Sequence, residues 1–415
     1  MRYTEQEVIE FIEENNVKFI RLAFCDVYGA QKNISIMPDQ LARAFEVGVP
    51  FDASAICGFG EGSDLFLFPD PSTLALLPWR PSQGRVIRFF CDIRYPDGTP
   101  FERDGRYILR QATERARSMG ISCDIGAECE FYLFRTDEQG EPTDIPFDQG
   151  GYMDIAPRDK GENIRREICL TLEEMGISPE SSHHEEGPGQ NEIDFRYADA
   201  RRCADNIMTF RMVVETLAAR NGLYATFAPK PVPGKCGNGF HINLSPRSKE
   251  ENADLLGHFI AGIHKYIRDM TLFLNPAEES YDRIGALKAP RYVTWAYRDR
   301  SHLIRIPPED GKNQRLEVRS PDSLANPYIA IALLIHAGLC GVEENLMPPA
   351  DEKTNLFRAD EAFLSGLDRL PDTLDEARLL AKESRFICKY LSRGILEAYG
   401  AGEESPKSSD SSGRF

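Results

Sequence analysis

The sequence predicts an α+β protein in which a small β-rich domain precedes a larger domain of mixed helices and strands. Three observations carry that reading. Short strand-like runs crowd the N-terminal part of the chain. A cluster of turn formers, Tyr95-Pro96-Asp97-Gly98-Thr99-Pro100, then interrupts it. Beyond that cluster, helical stretches alternate with strands that are polar on one face.

Taken in order, Thr4 and Glu7 form a capping-box pattern ahead of Val8, Ile9, Phe11 and Ile12, so a short helix opens the chain. Val17 to Cys25 is strand-like, Asp26 to Gly29 turns, and Ala30 to Met37 returns. Further strands are predicted at Leu65–Phe68, Leu74–Leu77 and Val86–Asp92. The β-rich domain is therefore drawn over residues 1–100 and the larger domain over 101–400, with a polar, disordered tail at 401–415. Helices are predicted at Arg106–Met119, Gly161–Met175, Ala198–Asn221, Lys249–Leu274 and Pro327–Cys340. Between them come strands at Asp124–Phe134, Asn191–Tyr197, Gly239–Ser245, Leu303–Ile306 and Arg315–Arg319.

At 415 residues, with 41% hydrophobic and 28% charged residues, the chain has the make-up of a globular enzyme with ample core. A net charge of -17 argues against nucleic acid or an anionic membrane as the main partner. The 10 cysteines are scattered without CxxC pairs, which fits free thiols in a reducing cytoplasm. No signal segment opens the chain and no apolar run reaches membrane-span length, so a cytoplasmic location is expected.

Alternate strand residues share a face. Glu128 and Glu130 therefore point one way, as do Glu192, Asp194 and Arg196, then His241, Asn243 and Ser245, then Glu317 and Arg319. Phe131, Leu133, Ile242 and Leu244 occupy the opposite positions. One such strand alone would be a solvated sheet face. Four, each carrying a carboxylate or His, point to a polar cavity, joined by the segment from Ser182 to Glu192 with Glu185 and Glu186. Converging carboxylates resist ionising unless a cation sits among them. Oxygen donors with a single His suit Mg²⁺ or Mn²⁺ rather than structural zinc. Taken singly, His183 and His184 are compatible with a polar surface as well as with the site, and His258, His264, His302 and His336 read as helix or packing residues. Arg298, Arg300, Arg305, Lys312, Arg315 and Arg319 form a basic cluster in an acidic chain. They are either surface ion-pair partners or a clamp on a transferring phosphate.

These motifs, with Phe51-Asp52-Ala53-Ser54-Ala55-Ile56, Lys230-Pro231, Gly237-Asn238-Gly239-Phe240-His241, Arg305-Ile306-Pro307 and Glu317-Val318-Arg319-Ser320-Pro321-Asp322, run nearly end to end. As a set the chain resembles the glutamine synthetase family, bacterial type I. That resemblance implies an N-terminal β-grasp domain and a catalytic domain with a curved antiparallel sheet flanked by helices. It implies a ring homo-oligomer, hexamer or dodecamer, with active sites shared between neighbouring subunits. It implies two or more Mg²⁺ or Mn²⁺ ions per site: Glu130, Glu185 and Glu192 around one, Glu128, His241 and Glu317 around another. Gly237, Arg283, Arg300 and Arg319 would hold glutamate. Asn243, Ser245, Arg305, Lys312 and Arg315 would hold ATP, the co-substrate. Asp52 would help bind ammonium from the adjacent subunit. ATP would phosphorylate the γ-carboxylate of glutamate, and ammonia or another amine would displace the phosphate.

The chain departs from the family pattern at the flap over the site. Where the family reads Gly-Tyr-Glu-Ala-Pro, this chain has Ala286-Leu287-Lys288-Ala289-Pro290. The Glu becomes Lys288, a reversed charge expected to repel ammonium. Cys236 stands where an Asn is usual, Ala55 where a Ser is, and Phe357 near the place of a regulatory Tyr. Besides glutamine synthesis, the sequence leaves room for a γ-glutamyl ligase using an organic amine, a non-catalytic paralogue and a guanidino-type phosphotransferase. The complete ligand set disfavours the paralogue, and the Asp52 segment with the glutamate-site arginines disfavours the phosphotransferase.

Overall fold

The computed structural model describes residues 3–401 apart from 61, 63, 81–82, 249–253 and 309–313. The tail predicted at 401–415 and Lys312 therefore fall almost wholly or wholly outside the described residues.

Two sheets organise the chain. The first is formed by β1 (Val17–Cys25), β2 (Gln31–Ile36), β3 (Val49–Phe51), β4 (Leu65–Pro69), β5 (Ala75–Leu76) and β6 (Arg85–Arg94). Its order is β2-β1-β6-β4-β3, with β5 also on β6, and the β1–β6 pair is parallel. The opening helix, Glu5–Glu14, carries the predicted capping box: Thr4 N donates to Glu7 Oε2 at 2.7 Å and Glu7 N to Thr4 Oγ1 at 3.3 Å.

The second sheet holds β7 (Ile121–Thr136), β8 (Pro142–Pro146), β9 (Pro179–His184), β10 (Gln190–Asp199), β11 (Leu223–Thr226), β12 (Phe240–Ser248), β13 (Trp295–Tyr297), β14 (Ile304–Ile306) and β15 (Leu316–Val318). The order is β13-β14-β15-β12-β7-β10-β9, with β8 and β11 on the far half of β7. The expectation of an antiparallel sheet holds at every ladder but one: β13 and β14 run parallel at the edge. Alternation sorts the faces. Cys129, Phe131, Leu133, Ile193, Phe195, Ile242, Leu244 and Val318 are buried in the apolar core, where Phe131 and Phe195 each meet Phe210.

Helices Gly105–Ser118, Ala200–Arg220, Leu255–Leu274 and Pro327–Glu343 supply the core's other side. The last is apolar all round, as a helix buried on every side must be. Pro327 opens it and Asn326 caps it by accepting from Tyr328 N at 3.0 Å. The Asn326 amide also donates to Val27 O at 2.9 Å, tying the first sheet to this helix. The helix crosses Leu255–Leu274 at glycines: a Cβ on Gly341 would stand 1.9 Å from His258 O.

Two predicted helices start two or more residues later than expected. The helix expected from Ala198 begins at Ala200, because Asp199 caps it through Arg202 N. The helix expected from Lys249 is described from Leu255, residues 249–253 being outside the description. Helices Leu374–Glu383, Arg385–Tyr390 and Arg393–Gly400 were not predicted. All 10 cysteines are free. Among the described residues no helix is long and apolar enough to cross a membrane.

Candidate active site

Strand register lays the acidic residues side by side. Across β10, β7 and β12, Glu192 faces Glu130, while Asp194 and His241 flank Glu128. Farther along, Asn243 faces Glu317, and Glu317 faces Arg305. On the other edge His183 faces Glu192 and Ser181 faces Asp194. Glu185 follows β9 in the tight Gly187-Pro188-Gly189 turn, held by Glu185 N to Gln190 O at 2.8 Å. Of these, Glu128, Glu130, Ser181, His183, Glu185, Glu192, Asp194 and His241 line one cavity of about 530 Å³ with Arg283, Arg300, Arg319, Gly237, Cys236 and Lys288.

The acidic and histidine ligand atoms approach one another in overlapping groups: Glu128, His241 and Glu317; Glu130, Glu192 and His241; His183, Glu185 and Glu192; within each, all lie within 4.8 Å. His241 Nδ1 is 3.2 Å from Glu128 Oε2 and 3.7 Å from Glu317 Oε1. Glu130 Oε2 accepts from Gln190 Nε2 at 2.9 Å and from Gly239 N at 2.8 Å. Gly239 has to be glycine for room as well, since its Cβ would lie 2.7 Å from His241 Nε2.

Burial and crowding set the protonation. Burial, with the charge of Glu130 next, pushes the Glu185 carboxyl up to about 8. Burial, then Asp194, drives Glu192 well above the carboxylate range. Burial, then Glu128, lifts Asp194 to about 7. Glu128 goes the other way, to about 2: burial opposes ionisation, but bonds from His241 and Asn243 and the charge of Arg319 outweigh it. A cluster of carboxyls driven to hold protons, each with an oxygen toward its neighbours, fits hard divalent cations, which would replace those protons. The sign follows. Below their raised pKa values Glu185 and Asp194 are protonated, so a cation has to displace protons to bind; above them it does not. Mn²⁺ or Mg²⁺ is therefore expected to raise the melting temperature more at about pH 8 than at about pH 6. A thermal-shift titration checks this, and equal shifts at both pH values would contradict it.

The positive side of the cavity is built from buried arginines. Arg283 donates to Ser320 O at 2.8 Å, and Arg319 to Glu317 Oε1 at 2.5 Å, yet both retain an Nε–H without a partner. Unpaired buried donors beside a cavity suit an anionic ligand. Arg305 donates to Glu317 Oε2 at 2.6 Å. Arg315 Nε reaches Asn243 Oδ1 at 3.1 Å, and Asn243 Nδ2 reaches Glu128 Oε1 at 2.9 Å, so this row is wired to the acidic cluster. Ser245 is buried farther along β12. Arg300 and Gly237 line the cavity, where Gly237 O accepts from Gln190 Nε2 at 3.2 Å.

Asp52 is not brought to the cluster. It caps a short turn on the first domain, its Oδ1 accepting from Ser54 N and Oγ at 2.9 and 2.6 Å. Those bonds hold its carboxyl below the ordinary range, and it is exposed.

Two histidines correct the sequence reading. His183 is not simply a surface residue: its Nε2 lies 3.3 Å from Glu192 Oε1 and its Nδ1 3.5 Å from Glu185 Oε1. Burial lowers its pKa and favours the neutral imidazole. His184 is buried, between Asp148 Oδ1 at 2.9 Å and Glu185 O at 2.6 Å. Both of its nitrogens face acceptors, and although burial opposes it, the bond to Asp148 keeps its pKa raised. Asp194 also belongs to the cluster, its Oδ2 accepting from Ser181 Oγ. The sequence signal for the two histidines was the Gly-Pro-Gly turn, which makes β9–β10 a hairpin and fixes its cross-strand neighbours; alternation along β10 had already put Asp194 on the polar face.

Comparison with known proteins covers nearly the whole chain. The family model described as glutamine synthetase, beta-grasp domain, matches residues 16–96, and that described as glutamine synthetase, catalytic domain, matches 102–405. The chain is 44% identical to a glutamine synthetase of Clostridium saccharobutylicum, covering 97% of this chain and 94% of that one. It is 42% identical to the glutamine synthetase of Methanosarcina mazei, covering 97% and 93%. Among solved structures, a GmaS/ADP complex superposes with a TM-score of 0.85 at 27% identity, covering 95% of this chain and 94% of that one. GmaS without ligand gives 0.84 at 28% identity.

Proposed function

This chain belongs to the glutamine synthetase family, and on that footing we propose that it couples glutamate to ammonia at the expense of ATP. The observation that carries catalysis rather than scaffolding is the convergence of Glu128, Glu130, Glu185, Glu192, His241 and Glu317 beside buried, part-paired Arg283 and Arg319. A chain freed from catalysis would gain stability by losing such a cluster.

Glu130, Glu185 and Glu192 would hold one divalent cation, and Glu128, His241 and Glu317 a second. Held there, such cations would supply the positive charge that offsets the negative charge of a transferring phosphoryl group. Arg283, Arg300 and Arg319 orient the carboxylates of glutamate, with Gly237 leaving its backbone free to contact the substrate. Asn243, Ser245, Arg305, Arg315 and Lys312 serve ATP. Glu317 orients Arg305 and Arg319 by binding both. Asp52, exposed and apart from its own cluster, would serve the site of a neighbouring copy, which implies a ring, hexameric or dodecameric. The units would be 1–100 and 101–400, and ten free thiols suit a reducing compartment such as the cytoplasm.

The test is a coupled assay on size-separated protein. The ring-sized fraction, given glutamate, ATP, Mg²⁺ and ammonia, should release phosphate and glutamine in equal amounts. Absence of glutamine, or activity confined to the monomer, overturns the reading.

A further inference from the structure

The loop that carries Lys288 follows helix Glu278–Arg283 and folds over the cavity. Its turns are closed by Ala286 N to Arg283 O at 2.9 Å and Ala289 N to Ala286 O at 3.1 Å. Leu287 sits in the left-handed region, φ 54°, with its side chain in solvent. For a bulky residue that conformation costs on the order of 1 kcal/mol. The next residue reaches across the cavity mouth: Lys288 Nζ lies 2.8 Å from Glu186 Oε1. Glu186 is fixed in turn, its N donating to Glu185 Oε2 at 3.1 Å and its Oε2 accepting from Cys236 Sγ at 3.5 Å. The Glu186 contact, ahead of opposing burial, raises the pKa of Lys288 and keeps it charged.

The charge reversal read from the sequence is therefore incomplete. Lys288 replaces a carboxylate at the lip of the cavity, but Glu186 brings one from the opposite wall. We propose that Glu186 and Lys288 form a charge-balanced gate that sets selection for a small cationic amine, ammonium, by cancelling the lysine charge that would otherwise exclude it. This rests on the ligase reading above. Unpaired, either partner would shift the local potential by one unit charge near the entry, an effect of a few-fold to about tenfold on a cationic ligand at low salt.

The experiment measures KM for ammonium and, separately, for hydroxylamine, which is uncharged at neutral pH. Glu186→Gln exposes the lysine and is expected to raise KM for ammonium about threefold to tenfold. Lys288→Met exposes the carboxylate and is expected to lower it by a similar factor. The double variant should return to within about twofold of the parent. KM for hydroxylamine should stay level throughout. An unmoved ammonium KM in both single variants, or a shift of the same sign in both, overturns the gate. Failure of the parent to form γ-glutamyl hydroxamate from ATP and glutamate overturns the ligase reading instead.

Discussion

Glu130→Gln is expected to lower turnover on the order of a hundredfold or more while leaving the fold intact. The amide oxygen of Gln can still accept from Gln190 Nε2 and Gly239 N, the bonds that Glu130 makes now. What goes is the charge facing Glu185 and Glu192, both of which Glu130 helps to push upward. The metal-free variant should therefore melt no lower than the parent, and its melting temperature should respond little to added Mn²⁺. Steady-state kinetics with a thermal-shift titration check both halves. Activity near the parent's, or an undiminished response to Mn²⁺, would remove Glu130 from the cation site.

Glu317→Ala has the largest expected effect on stability. Glu317 is 1% exposed and binds Arg305 at 2.6 Å and Arg319 at 2.5 Å. Arg319 is itself buried. Removing the carboxylate strands at least one guanidinium in low dielectric, a loss of about 3–5 kcal/mol. Urea denaturation of the metal-free protein should show it, and a loss under about 1 kcal/mol would mean that water reaches Arg319 in the variant. Turnover should fall too, because Arg305 and Arg319 lose the group that aims them.

Much of this was legible because its causes are local. β1 was read to the residue, and the Thr4–Glu7 capping box is present as predicted. Alternation along β7, β10, β12 and β15 sorted ligand positions from core positions, since a strand can turn only every second side chain to one face. Reading failed where the cause is distant or faint. His183 needed the hairpin register, and Asp194, read on the polar face of its strand, was left out of the ligand set. The partner of Lys288 lies on another segment, so the sequence showed a bare positive charge where the fold has a pair. The C-terminal helices had a signal that went unused: Thr373, Ser384 and Ser392 each cap one, accepting from Glu376, Ile387 and Ile395 N. The part assigned to Asp52 rests on its motif alone, because the fold keeps it apart from the cluster, capping its own turn through Ser54.

The cross-strand assembly of the cluster has a consequence for how the protein matures. Glu130, Glu185 and Glu192 stand on β7 and the β9–β10 hairpin, all translated by residue 199. Glu128, also on β7, must wait for β12 to bring His241 and for β15 to bring Glu317. A chain leaving the ribosome N-terminus first thus gains one acidic triad early and the other only when a much longer loop has closed, the slower event. A divalent ion present during synthesis can relieve repulsion in the first triad while the second does not yet exist. The two halves of one cavity, adjacent in space, are separated in folding time.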